Sequence, residues 1–191
     1  ESAPLCYDAS TLTEGLPMTA HALMYVDKAT FYRFIETADE GHRYEWVRGW
    51  IMQQQAGGTF RHVNIGSELG FAMRRRLDPG IWAVSGSDRG IDTGDTVRYA
   101  DVVVERAGAD PKSLSTTAPV IIVEVLSPSS EERDLSVKPL EYLAMPSLEA
   151  LIVASQDEAM CYLWTRDAAR RFPDRPAEVK GAAATIDIPA L

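Results

Sequence analysis

One stretch constrains this chain more than any other: Pro119-Val120-Ile121-Ile122-Val123-Glu124-Val125-Leu126. Seven of these eight residues are apolar or Pro. Strand alternation puts Val120, Ile122 and Leu126 on one face with Glu124, and Ile121, Val123 and Val125 on the other. A strand apolar on both faces belongs in the middle of a sheet covered on both sides. A carboxylate there is costly unless a cation compensates it. That cation is either a side chain or a metal ion, and the stretch alone leaves both open.

The rest of the chain has to supply the cover and the cation. Its 191 residues are enough for one domain with a proper core. No apolar run approaches the ~20 residues of a membrane helix. No basic segment followed by an apolar core marks a signal peptide. Cys6 and Cys161 make no disulfide framework, and we expect a reducing, cytoplasmic setting. The net charge of −9 disfavours a nonspecific nucleic-acid coat. That charge is uneven, because residues 1–45 carry eight acids against three basic residues. The main body is only mildly acidic, and some of its acids suit a metal site.

Residues 1–25 show no clear period and read as a flexible N-terminal tail. The remainder, 26–191, reads as a single domain. Asp27 is placed to N-cap a short helix through about Thr37, with Phe31, Phe34 and Ile35 inward. Tyr44 to Met52 reads as an aromatic hairpin turning near Arg48-Gly49. From Phe60 to Leu77 the period is helical, with Ile65, Leu69, Ala72, Met73 and Leu77 as its stripe. Short strands follow at Ile81–Val84 and Ile91–Tyr99. Arg98 to Glu105 reads as a strand with Asp101 at its entry, 106–118 as a polar loop, and 119–126 as the central strand. Pro139 limits the next regular helix to about 137–146, because Pro is tolerated in a first turn and not deeper. Leu148–Val153 and Met160–Thr165 pair as a hairpin, and 176–191 closes the chain as a small hairpin or edge. This mixture is an α+β or mixed α/β domain.

The chemistry gathers around the central strand. Asp101 and Glu124 lie on consecutive strands, so one sheet end can hold both carboxylates. Two close carboxylates repel unless a proton or cation lies between them. A hard ion such as Mg²⁺ is bound by one or two carboxylates plus waters. Lys138, at the start of the following helix, can lean over the same place, and Glu45 on the aromatic hairpin is an additional acid. Each residue also has a plainer role. Asp101 suits a strand-entry turn, Glu124 a buried ion pair, Lys138 a solvated helix and Glu45 a strand surface. His62 suits the core or a cap better than a ligand set. Asp134 is a cap, a surface acid or an outer partner, with nothing to rank these. Arg74-Arg75-Arg76 cannot all face one way and read as solvated charge before a phosphate clamp.

Taken in order, Tyr44-Glu45 with Gly49, His62 with Ile65 and Leu69, Arg98 to Val104, Ile121 to Ser129, Asp134, Lys138, Tyr142 and Pro146-Ser147-Leu148 resemble the Uma-type (Uma-two) family of restriction endonucleases. That family belongs to the PD-(D/E)XK nuclease superfamily. The resemblance covers roughly residues 20–190, and Val-Glu-Val-Leu-Ser-Pro-Ser with the downstream Asp and Lys is its specific part. It implies a restriction-endonuclease-like mixed sheet flanked by helices, often as a homodimer. It also implies Asp101 and Glu124 as catalytic metal ligands, with Glu45 completing the shell. The motif position for lysine holds Leu126, and Lys138 matches the displaced lysine on the next helix. His62, Asp134 and Tyr142 stand as accessory positions. Ala100 precedes Asp101 where the superfamily often has Pro, and Pro139 directly follows Lys138 where the family continues an ordinary helix.

The expectation is a Mg²⁺-dependent endonuclease, with Mn²⁺ as a substitute, that hydrolyses DNA. Its alternative is a catalytically inactive nuclease fold used as a dimeric interaction module.

Overall fold

The computed structural model describes residues 21–38, 41–54, 58–127 and 133–181. In chain order it runs β1 (His21–Tyr25), α1 (Lys28–Ile35), β2 (Arg43–Val47), β3 (Trp50–Gln54), α2 (Phe60–Arg76), β4 (Trp82–Ser85), β5 (Gly90–Asp92) and β6 (Thr96–Tyr99). There follow β7 (Val102–Arg106), β8 (Ser115–Thr116), β9 (Pro119–Val125), α3 (Lys138–Leu143), β10 (Ala150–Ala154), β11 (Met160–Thr165) and β12 (Ala177–Lys180). Two six-stranded sheets result, in the orders β1-β3-β2-β6-β5-β8 and β12-β11-β10-β9-β7-β4.

The first sheet grows from the aromatic hairpin. Arg48 (φ 48°) and Gly49 (φ 97°) both take left-handed backbone, the requirement of a type I′ two-residue turn. Gly49 is needed twice over, since a Cβ there would lie 2.4 Å from the Tyr25 ring. Tyr25 belongs to β1, which pairs antiparallel with β3, so residues 21–25 extend the sheet rather than the tail. Residues 1–20, the rest of the expected tail, lie outside the described residues. Asp27 caps α1 by accepting from the Thr30 amide at 2.7 Å. Phe31, wholly buried, packs with Ile51 and Val97 beneath that helix.

The second sheet is the one the central strand predicts. Every residue of β9 is buried. It lies between β7, antiparallel, and β10, parallel. Ile122 and Leu126 join Tyr142, Met145 and Leu151 on the α3 side. Ile121 and Val123 join Val102, Val104 and Ile152 on the side that α2 covers with Leu69 and Met73. Val120 goes with Ile121 and not with Ile122, contrary to strict alternation. The register with β7 shifts here, Val104 facing Ile121 and Glu105 facing Pro119, and an extra residue at such a bulge reverses the facing of what lies beyond it. Burying each branched side chain of this strand contributes about 1.5–3 kcal/mol.

Two departures from the expected elements position the site. The stretch Arg98 to Glu105 is not one strand: Arg98 and Tyr99 end β6, and β7 begins at Val102. β6 belongs to the first sheet and β7 to the second, and the chain changes sheets through Ala100-Asp101. The helix α2 also turns its two glycines inward: Gly66 and Gly70 are its buried residues, while Ile65 is only partly buried. A Cβ at Gly66 would sit 3.5 Å from the Asp101 Cβ, and one at Gly70 3.5 Å from Val102. The glycines let α2 lie close against the start of β7, with Gly66 over the Asp101 Cβ. Beyond β9 the chain makes a π-helical turn at Arg133–Val137 before α3 begins at Lys138. The segment read as edge at 176–191 contributes β12, which pairs with β11, and 182–191 lie outside the described residues.

Candidate functional site

The site starts from the end of the β9 ladder. β7 pairs with β9 as far as Val102 opposite Val123, so the amide of Val125 has no strand residue opposite it on that side. Asp101 takes the place, its Oδ2 accepting from Val125 N at 2.7 Å. Its other oxygen, Oδ1, lies 3.0 Å from His62 Nε2. His62 is in the first turn of α2, where Thr59 caps the helix by accepting from the His62 amide. The two sequence candidates therefore meet, and His62 is a partner of Asp101 rather than a core residue.

Glu124 precedes the amide that Asp101 holds, but its side chain points to the α3 side. Its Oε1 accepts from Lys138 Nζ at 2.7 Å and from the Tyr142 hydroxyl at 3.1 Å. All three are almost fully buried, Glu124 and Lys138 at 4 % exposure and Tyr142 at 0 %. Burial, then the Glu124 charge, pushes the Tyr142 hydroxyl well above its usual range, so it remains protonated and donates. Lys138 also approaches the Tyr99 carbonyl at 3.4 Å, two residues before Asp101. Pro139 does not prevent this reach: Lys138 is the first residue of α3 and Pro139 the second, positions where the proline lacks only an amide that the helix would leave unbonded.

Glu45 stands apart. Its Oε2 accepts from Arg98 NH1 at 2.8 Å and from Gln54 Nε2 at 3.1 Å. Arg98 turns its fork to Glu141 of α3, with Nε at 2.9 Å from Oε2 and NH2 at 2.8 Å from Oε1. Burial opposes charge on Arg98, and the two carboxylates overcome it and hold the guanidinium more firmly protonated than usual. The cluster ties β2 and β6 to α3. Arg98 is the residue that sequence reasoning missed here. Its signal was its position in β6, where Thr96 and Arg98 share the side opposite the buried Val97, and both meet Glu141. Asp134 lies in the turn before α3; its side chain is outside the described residues.

The outer face of this arrangement is a groove of about 330 Å³. Asp101 and His62 form part of its floor, α2 one wall, and Arg43 with the Ser85-Gly86-Ser87 turn the other. Glu124 does not line it. Among the described residues, no three His, Cys, Asp or Glu side chains gather closely enough to hold a metal ion by themselves. None of the helices among the described residues is long and apolar enough to cross a membrane.

Two mixed sheets with helices packed on them make up the fold that carries these residues. A crystal structure described as "a putative nuclease belonging to DUF820", from Anabaena variabilis, shares it: TM-score 0.63 at 18 % identity, over 82 % of this chain and 87 % of that one. At that identity the likeness speaks for the fold. The family follows from sequence, because residues 29–185 match the model of Uma2, described as "putative restriction endonuclease". The chain belongs to the Uma2 family. No curated protein matches it.

Proposed function

We propose that this Uma2 protein is a divalent-metal-dependent endodeoxyribonuclease, with Mg²⁺ as the natural ion, Mn²⁺ as a substitute and DNA as the substrate. The observation that carries the reading is the link between the two acids. Asp101 grips the backbone amide of Val125, the residue that follows Glu124, so the two acids lie at the same end of β9, Asp101 toward α2 and Glu124 toward α3.

The donor chemistry suits a hard ion, since both candidate ligands are carboxylates. Asp101 and Glu124 would hold it, with Glu45 assigned to the Arg98 cluster on its geometry. A bound divalent ion supplies Lewis acidity, making water a better nucleophile and drawing charge from phosphate oxygens. His62, 3.0 Å from Asp101, fixes the rotamer of that carboxylate. Lys138 stands 2.7 Å from Glu124, and its ammonium is the cation available to negative charge building on the phosphate. Tyr142 holds Glu124 from the buried side. In the hydrolysis, water oxygen bonds to phosphorus as the bond from phosphorus to the 3′ oxygen breaks, and the leaving oxygen takes up a proton.

One observation favours a second reading. Glu124 is closed in by Lys138 and Tyr142 and does not line the groove, as a purely structural ion pair would be. The protein would then be an inactive nuclease fold, serving as a dimeric interaction module. Supercoiled plasmid incubated with protein and Mg²⁺ or Mn²⁺ separates the two. We expect nicking or cutting that falls by at least about 100-fold in Glu124→Gln, the scale of a lost metal-site residue. Cleavage that survives this substitution contradicts the assignment, and a wild-type protein that neither cleaves nor binds metal supports the second reading.

A further inference from the structure

We infer that the groove over Asp101 binds one strand of nucleic acid, with Arg43 and Arg74 holding backbone phosphates on either side of Asp101 and Phe71 receiving a base. The inference rests on the nuclease reading and names the part of the substrate that enters.

The walls carry the argument. Arg74, in the last turn of α2, reaches across to β4, its Nε and NH2 donating to the Val84 carbonyl at 3.2 and 2.9 Å. Arg43, on β2, is held on the wall facing α2 by Ser87 Oγ at 3.2 Å and the Asp88 carboxylate at 3.3 Å, and stacks on Tyr99. A guanidinium has five N–H donors, and these contacts use only some of them. Two preoriented forks on facing walls suit phosphates, which accept bidentate guanidinium contacts. Of the three consecutive arginines, Arg74 alone lines the groove. Arg75 lies instead over the Phe71 ring, 5.6 Å from its centroid.

The floor and rim point to a single strand. Gly86, at the mouth, has backbone that any residue can adopt, and a Cβ there would meet nothing within 4 Å; the space beside it is open for a ligand. Phe71 is 55 % exposed although it sits on the groove wall, one turn before Arg74 and Arg75. An exposed aromatic ring beside cationic side chains is the stacking arrangement of single-strand binders. The groove volume of about 330 Å³ lies at the small end of small-molecule sites, room for a nucleotide. The net charge of −9 offers no general attraction for DNA, so binding has to come from such local donors.

Fluorescence anisotropy tests this with the full chain, EDTA present to prevent cleavage, and labelled oligonucleotides as single strand and as duplex. We expect the single strand to bind more tightly. Phe71→Ala should weaken it about 5- to 100-fold, the range for one lost base stack. Arg43→Gln and Arg74→Gln should each lower the salt slope of log K by about 0.7, with circular dichroism confirming that the variants fold. Tighter duplex binding overturns the single-strand inference, and unchanged affinity and salt slope in all three variants overturns the groove assignment. Sedimentation completes the test: a wild-type dimer that Phe71→Ala breaks, with no loss of oligonucleotide affinity, assigns Phe71 to a second copy of the chain and overturns its stacking role. Metal-dependent cleavage of plasmid reads the nuclease assignment separately, so either can fail alone.

Discussion

Glu45 and Glu124 are both strand carboxylates, both almost wholly buried, and both paired with a cation at 2.7–2.8 Å. Their surroundings differ. Glu45 faces Arg98, whose planar fork is divided between it and Glu141, and the cluster joins the first sheet to α3. Glu124 faces a lysine and a tyrosine, and it lies one residue from the amide that Asp101 holds. Depth and charge are therefore not what mark a site. A rigid guanidinium between two acids is a tie; on the proposed reading the equally buried Glu124–Lys138 pair is the one that would yield to a ligand.

The comparison can be broken by substitution. Arg98→Met leaves Glu45 and Glu141 facing each other without their cation, and removing one partner of a buried pair costs about 3–5 kcal/mol. Urea unfolding should show that loss, while metal-dependent cleavage per folded molecule stays near wild type. A large loss of cleavage in the folded variant would place Arg98 in the site. Tyr142→Phe should cost less, about 1.5–3 kcal/mol for a hydrogen bond to a charged group, again measured by urea. An unchanged midpoint would mean that the Tyr142 hydroxyl contributes nothing at Glu124.

The smallest effect concerns Tyr99, whose carbonyl faces Lys138. Burial, with Tyr32 as the next cause, pushes its hydroxyl up to about 12 from the usual 10. The folded value is the higher one, so this contribution to stability is fully present below pH 10 and is lost as pH rises through about 12. A shift of this size is worth on the order of 2 kcal/mol. Tyr99→Phe should therefore lose less stability than wild type between pH 9 and 12. Parallel stability curves for the two proteins would refute the shift. Tyr32 and Tyr142 are raised as well, which is why the difference between the two curves, and not the wild-type curve alone, is the test.

Much of this was legible in the residues. The double-sided apolar run gave the central strand, Arg48-Gly49 gave the hairpin turn, Asp27 gave the α1 cap, and Pro139 fixed Lys138 in the first helical turn. The failures have physical causes. Arg98 to Glu105 reads as one strand because Arg98 and Tyr99 are strand residues as well, and nothing local announces that Ala100-Asp101 carries the chain from one sheet to the other. Gly66 and Gly70 bury by fitting a neighbour closely, which an apolar stripe does not register. Val120 faces the wrong way for its period because the bulge is set by the partner strand. Within the site, Lys138 and Tyr142 meet Glu124, and His62 meets Asp101. The bond of Glu45 to Arg98 was not legible because Arg98 is distant in sequence and reads locally as an ordinary strand residue.

The central claim is that Asp101 and Glu124, carried on different strands, form one metal site. Calorimetric titration of Mg²⁺, and then Mn²⁺, into wild type, Asp101→Asn, Glu124→Gln and Arg98→Met tests it without any substrate. The account predicts saturable binding in wild type and in Arg98→Met, and its loss in both carboxylate variants. Binding that persists unchanged in either carboxylate variant, or that is lost in Arg98→Met alone, would contradict it.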